Sequence, residues 1–143
     1  MNTRVALVSC VKSKQSSPAA ARDLYTSTLF HALRGYAEAH ADVWYILSAE
    51  HGLLEPDAQV APYERTLNKM KKDERLAWAD GVKKKLMQVL PTGAEVIFLA
   101  GVRYRSDLVQ FLHDHGFSVS IPLEGLSFGK QLQRLNQLAM GRQ

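Results

Sequence analysis

The chain has 143 residues, enough for one domain that buries most of the surface its unfolded form exposes, and no second domain is expected. Hydrophobic residues make up 46% and charged residues 22%, which excludes the disordered regime; 18 Lys and Arg against 14 Asp and Glu leave a net charge of +4, which permits a polyanionic partner without demanding one. A single cysteine excludes an internal disulfide, the opening MNTRVALVSC lacks the apolar core of a secretory signal, and no apolar run approaches the roughly 18 residues of a membrane span, so a cytoplasmic protein is the expectation.

Arg4 to Ser9 contains VALV, an apolar β-branched run of the kind buried on both faces of a sheet. From Ser27 to His40, the residues Leu29, Phe30, Leu33, Tyr36 and Ala37 recur at helical spacing, with Thr26 or Ser27 available as N-cap. Asp42 to Ser48, DVWYILS, reads as a second buried strand. Residues 49–70 hold Gly52, Pro56 and Pro62 with little periodicity and read as a long loop of the sort that carries function.

The next helix is predicted with Asp73 as cap, with Leu76, Ala77, Val82, Leu86, Val89 and Leu90 on its apolar side and Lys83, Lys84 and Lys85 mostly outside; Pro91 and Gly93 close it. Glu95 to Ala100, EVIFLA, is the third expected strand. A helix over Ser106 to His115, stopped by Gly116, leads to a short fourth strand at Ser118 to Ile121, and a last helix covers Phe128 to Met140.

Strands alternating with helices predict an α/β fold, a three-layer α/β/α arrangement around a four-stranded, mainly parallel sheet, because parallel neighbours need long crossovers. Ligands in such sheets bind outside the carboxyl ends of the strands. SCVKSK, SAEHG, AGVRYR and PLEG follow the predicted strands directly, so these loops are expected to converge on one edge.

Each loop carries chemistry. Ser9, Lys12 and Lys14 combine a hydroxyl, backbone N–H groups and ammonium groups suited to a phosphate or carboxylate, or they form a solvated turn. Cys10 reads as a small buried residue behind that turn, since a nucleophilic role has no fixed histidine partner in the sequence. No Walker glycine pattern accompanies these lysines, which argues against a nucleoside triphosphate.

Asp23, Tyr25 and Ser27 alternate in a stretch that, if extended, points them to one side: Asp23 to orient a lysine and Tyr25 to stack on a planar ligand, or Asp23 and Ser27 as plain helix caps. In SAEHGLLEPD, Ser48, Glu50 and His51 fall within four residues at a strand end, where a carboxylate and an imidazole can activate water or move a proton. The other reading leaves Glu50 in solvent and His51 bonded to its own loop. No metal-ligand spacing links His51 to Cys10 or to the remaining histidines. Tyr63, Glu64 and Arg65 form a candidate rim, Arg103, Tyr104 and Arg105 join two cations with an aromatic ring beside the third strand or are plain surface residues at a helix start, and Glu124 sits in a turn between Pro122 and Gly125.

With SCVKSK, DLYTSTLF, ILSAEHGLLEPD, PYERTL and PLEGLSFGKQL in order along the whole chain, the sequence resembles a bacterial and phage family of small domains related to the YaaA peroxide-stress proteins and to the domain of archaeosine synthase that attaches lysine to a deazaguanine base. The signature of that group, Ser-Cys, spaced lysines and Tyr-x-Ser, corresponds to Ser9, Cys10, Lys12, Lys14, Tyr25 and Ser27. The resemblance implies a fold similar to uracil-DNA glycosylases and a nucleobase-handling pocket. Antiviral DNA glycosylases that act on modified phage bases are similar to the same group. The chain has neither the GxDPY nor the HPSP-like segment of ordinary uracil glycosylases, so the catalytic carboxylate is left between Asp23 and Glu50.

The expected function is therefore hydrolysis of the N-glycosidic bond of a modified base in nucleic acid, DNA ahead of RNA, with anti-phage defence as the implied setting. Asp23, Glu50 and His51 are the catalytic candidates. Ser9, Cys10, Lys12, Lys14, Tyr25, Ser27, Ser48, Tyr63, Arg103, Tyr104 and Glu124 are the substrate-binding candidates, with no metal or organic cofactor. Two other expectations stand beside it: transfer of an amino acid to a deazaguanine-type base, and a non-catalytic module that binds modified nucleic acid or a nucleotide.

Overall fold

A computed structural model describes residues 3–9, 17–63 and 67–140. Cys10, Lys12, Lys14, Glu64 and Arg65 lie outside the described residues. In chain order the elements are strand β1 (Arg4–Ser9), β2 (Ala19–Ala20), helix α1 (Ala21–Leu24), α2 (Thr28–His40), β3 (Val43–Ser48), β4 (Gly52–Leu54), β5 (Gln59–Val60), a 3-10 turn (Leu67–Lys69), α3 (Lys72–Val89), β6 (Glu95–Leu99), α4 (Val102–Asp114), β7 (Ser118–Ser120) and α5 (Phe128–Met140). Among the described residues no helix is long and apolar enough to cross a membrane.

The main sheet has five strands in the order β4-β3-β1-β6-β7. β1 lies at its centre, parallel to β3 through Val8↔Ile46 and Ser9↔Leu47 and parallel to β6 through Leu7↔Phe98 and Val8↔Leu99. β7 adds a further parallel strand beside β6, while β4 runs antiparallel to β3. The sheet is thus mixed and five-stranded, not four-stranded as expected. The extra strand is a hairpin return of three residues, too short to show an alternating pattern in a segment that otherwise reads as loop.

Continuous apolar runs place the core. Val5, Ala6, Leu7 and Val8 of β1 and Val96, Ile97, Phe98 and Leu99 of β6 are all buried, as strands covered on both faces require. α2 packs on β1 and β3 and meets α5, whereas α3 packs on β4 and meets α4, which covers β7. Right-handed parallel crossovers assign α2 to one face of the sheet and α3 and α4 to the other.

Helix ends follow local chemistry, with two departures from expectation. Ser27 caps α2, its side chain accepting the Phe30 N–H at 3.0 Å. α3 starts at Lys72 after the N-cap Lys71, which puts Asp73 inside the first turn, where its charge complements the helix dipole, and not at the cap. Its buried residues are Ala79, Val82 and Leu86, whereas Leu76, Ala77 and Val89 face outward. α4 begins four residues before the expected Ser106, because the Gly101 carbonyl accepts N–H bonds from Tyr104 at 3.0 Å and Arg105 at 3.2 Å. Arg103, Tyr104 and Arg105 are helical as a result.

On β3, burial first and the charge of Glu55 second push the Tyr45 phenol above its usual value near 10. The unfolded chain then gives up this proton before the folded one does, so the associated stability is full below about pH 10 and is lost as pH rises through the folded pKa. Tyr45→Phe is expected to flatten the alkaline loss of melting temperature between about pH 9 and 11. An alkaline limb unchanged in the variant would assign that loss to other groups.

Candidate active site at the carboxyl edge

Parallel strands β1, β3, β6 and β7 end on one edge of the sheet, so Ser9, Ser48, the start of α4 and the turn after β7 share that edge. The β1–β3 crossover carries α2 on one face of the sheet, and the β3–β6 and β6–β7 crossovers carry α3 and α4 on the other. Such divergence on both sides of β1 is where open α/β sheets form a crevice. Ser9, buried at the end of β1, stands at its centre.

Glu50 and His51 are carried on the tip of the β3–β4 hairpin, which is the three residues between the paired Ser48 and Gly52. Gly52 closes this turn with φ +73°, and a Cβ there would sit 3.6 Å from Val82 Cγ2. That distance is an ordinary contact, so the left-handed backbone and not lack of space calls for glycine. Ser48 braces the tip. Its Oγ accepts the His51 N–H at 3.1 Å and donates to Tyr63 Oη at 2.8 Å, and its carbonyl accepts from Trp78 Nε1 at 2.8 Å.

The hydroxyl chain continues from Tyr63 to Tyr25, whose Oη atoms lie 2.6 Å apart. These tyrosines meet because β2 and β5 form a separate two-stranded ribbon through Ala19↔Val60 and Ala20↔Gln59. The Ala21 N–H to Ala58 carbonyl bond, the Arg22 N–H to Pro56 carbonyl bond and the Arg22–Asp57 ion pair extend the clamp. Tyr25 follows one arm of this ribbon and Tyr63 the other.

Aromatic rings complete a wall along the edge. The His51 imidazole stands edge-on to Tyr63 with centroids 5.5 Å apart, Tyr63 is edge-on to Tyr25 at 6.4 Å, and Trp78 is edge-on to Tyr104 at 5.8 Å. Through the Trp78–Ser48 bond the wall runs from the segment before α2 to the start of α4. Arg75 of α3 and Asp107 of α4, 3.4 Å apart, tie the same two helices together.

Four of the sequence candidates, Tyr25, Ser48, His51 and Tyr63, are brought into direct contact. Glu50 is exposed between Ala49 and His51 and has no ion pair among the described residues. The expected extended stretch through Asp23, Tyr25 and Ser27 is corrected: α1 turns Asp23 to the surface, Tyr25 is wholly buried, and Ser27 is a helix cap. Asp23 is engaged by Arg34 at 3.2 Å and Arg22 at 3.9 Å. Tyr25, packed against Phe30 at 5.0 Å, offers no open face for stacking and acts as a support beneath Tyr63. Arg103 is exposed, Tyr104 is buried against Trp78, and Glu124 is exposed in the 122–125 turn.

The sequence gives no sign of Trp78 as part of this edge, and it groups Arg105 with Arg103 without setting the two apart. Trp78 falls outside the apolar stripe predicted for α3, and Arg105 reads as one more surface arginine until the start of α4 sets the helical phase. Among the described residues no group of three or more His, Cys, Asp or Glu is placed to hold a metal ion.

A double-mutant cycle probes the hydroxyl chain. Tyr25→Phe and Tyr63→Phe are each expected to cost about 1 kcal/mol, with the double variant less destabilised than their sum by a coupling of roughly 0.5–1 kcal/mol in chemical denaturation. Strict additivity would mean that the two hydroxyls do not act as one bonded pair.

The chain matches the model of a family described as a family of unknown function (DUF6884) over residues 5–137. "Uncharacterized protein YfjM" of Bacillus subtilis (strain 168) is 31% identical over 143 residues, covering 94% of this chain and 93% of that protein. No solved structure matches the chain.

Proposed function

The chain belongs to the DUF6884 family, and from that premise we propose that it is a DNA glycosylase-like enzyme that hydrolyses the N-glycosidic bond of a modified base, in a setting of anti-phage defence. The observation that carries the proposal is a carboxylate and an imidazole on one braced hairpin tip beside a wall of tyrosine and tryptophan at the carboxyl edge of the sheet. A flipped base needs an aromatic surface and proton donors, and an oxocarbenium-like sugar needs a nearby carboxylate. The resemblance of Ser9, Cys10, Lys12, Lys14, Tyr25 and Ser27 to the YaaA and archaeosine synthase signature supports a nucleobase as the substrate, and a uracil-DNA-glycosylase-like sheet is part of the same proposal.

In this mechanism the bond between C1′ and the base nitrogen breaks with its electron pair leaving on the base. His51 delivers a proton to that nitrogen. Water adds to C1′ and gives its proton to the Glu50 carboxylate. Half-buried Tyr63 presents the aromatic surface, Tyr25 and Ser48 hold it in place, and Arg103, Lys12 and Lys14 meet backbone phosphates. Glu50 is preferred to Asp23 as the carboxylate, because Asp23 is already engaged by two arginines.

Incubation with hypermodified phage DNA tests the proposal. Free base and alkali-labile sites are the expected products. Binding without release would favour a recognition module, and product formed only after addition of an amino acid would favour group transfer.

A further inference from the structure

Arg105 is the charged side chain in the buried set of the described residues, only 8% exposed. Its Nε is shielded from solvent and has no hydrogen-bond partner among the described residues. Asp107, two positions along the same helix, is bonded to Arg75 instead, and among the described residues no carboxylate forms an ion pair with Arg105. A donor of a cationic group that is shielded from water and meets no acceptor carries a desolvation cost that nothing described around it offsets. Breaking the rule that buried charges are paired is a mark of sites where a ligand brings the missing charge.

The surroundings identify that ligand. Arg105 is the fourth residue of α4, a helix of 13 residues that starts directly beyond the carboxyl end of β6 and has no side-chain cap on its first N–H groups. Free N–H groups at a helix start and a forked guanidinium both suit a multi-oxygen anion. Tyr104, the preceding residue, belongs to the aromatic wall that reaches Trp78 and Ser48. An anion anchor next to aromatic rings suits a group that joins a phosphate to a planar ring.

We propose that Arg105 anchors an oxyanion subsite at the start of α4 that takes the phosphate of a nucleotide. The inference does not depend on whether a glycosidic bond is broken at the hairpin tip.

Arg105→Met keeps the length and apolar bulk of the side chain while removing the charge, and Arg105→Lys keeps the charge while removing the fork. Melting curves and calorimetric titrations of the parent and both variants would use three probes: 2′-deoxyguanosine 5′-monophosphate, 2′-deoxyguanosine and inorganic phosphate. Without any anion, Arg105→Met should melt at or above the parent temperature, since it removes a buried donor that has no acceptor and keeps the apolar bulk of the side chain. The monophosphate should bind the parent at least tenfold more tightly than inorganic phosphate or the nucleoside, lose about tenfold in Arg105→Lys, and show no charge-dependent binding in Arg105→Met. A lower anion-free melting temperature for Arg105→Met would overturn the proposal by making the charge structural. So would equal binding of the monophosphate by all three proteins, or no binding by the parent. Equal affinity for inorganic phosphate and the monophosphate would overturn the assignment to a nucleotide. Because no base release is measured, these results stand apart from the outcome of the glycosylase assay.

Discussion

Glu50→Gln is expected to lower base release by about 10²–10⁴-fold while the melting temperature stays nearly unchanged. The substitution keeps the shape of the side chain and removes its ability to accept a proton. Its position predicts a small cost in stability, because Glu50 is exposed at the hairpin tip and has no ion pair among the described residues. The brace beneath it, from the Ser48 Oγ to the His51 N–H, involves no atom of the Glu50 side chain. Rates measured under single-turnover conditions separate chemistry from DNA binding. Full activity in Glu50→Gln would remove the carboxylate from the mechanism and return the question to Asp23, where Asp23→Asn would have to abolish release despite the surface ion pairs to Arg34 and Arg22.

The second large effect concerns the fold. Phe98→Ala is expected to cost about 3–5 kcal/mol, which lowers the melting temperature by roughly 10–20 °C for a chain of this size. Phe98 is fully buried on β6 and in register with Leu7 of the central strand, so its removal opens a cavity where relaxation is restricted on both sides. Differential scanning calorimetry measures the loss directly. A cost below about 1 kcal/mol would mean that β6 is not a packed core strand.

These expectations draw on features that differ in how openly the residues display them. VALV and EVIFLA announce buried strands because strands covered on both faces carry apolar side chains at every position, a pattern that needs no tertiary information. The order of those strands then places SAEHG at a carboxyl end, so the location of Glu50 and His51 at that edge is legible before any coordinate is known, whereas the hairpin that carries them is not.

Other features depend on contacts between distant segments. In α3, Leu76 and Ala77 compete with Trp78 and Ala79 for the inward face at nearly the same helical spacing, and packing against β4 and α4 settles the phase. Tyr25 reads as a ligand-stacking ring only while 21–24 is taken as extended; the turn of α1 and the ribbon between β2 and β5 bury it. Arg103 and Arg105 look alike in GVRYRSD. Their separation into an exposed and a buried cation follows from a helix start at Gly101, which glycine signals weakly as an N-cap.

A nuclear magnetic resonance titration of the labelled chain with a short DNA strand carrying a hypermodified base locates, residue by residue, where a substrate meets the protein. If the carboxyl edge is the site, amide shifts concentrate at Ser48 to His51, Tyr63 and Gly101 to Arg105, the segments that share that edge. Shifts confined to the opposite edge, around the Arg4, Asp42 and Glu95 cluster, or to the exposed lysines of α3, would contradict that placement.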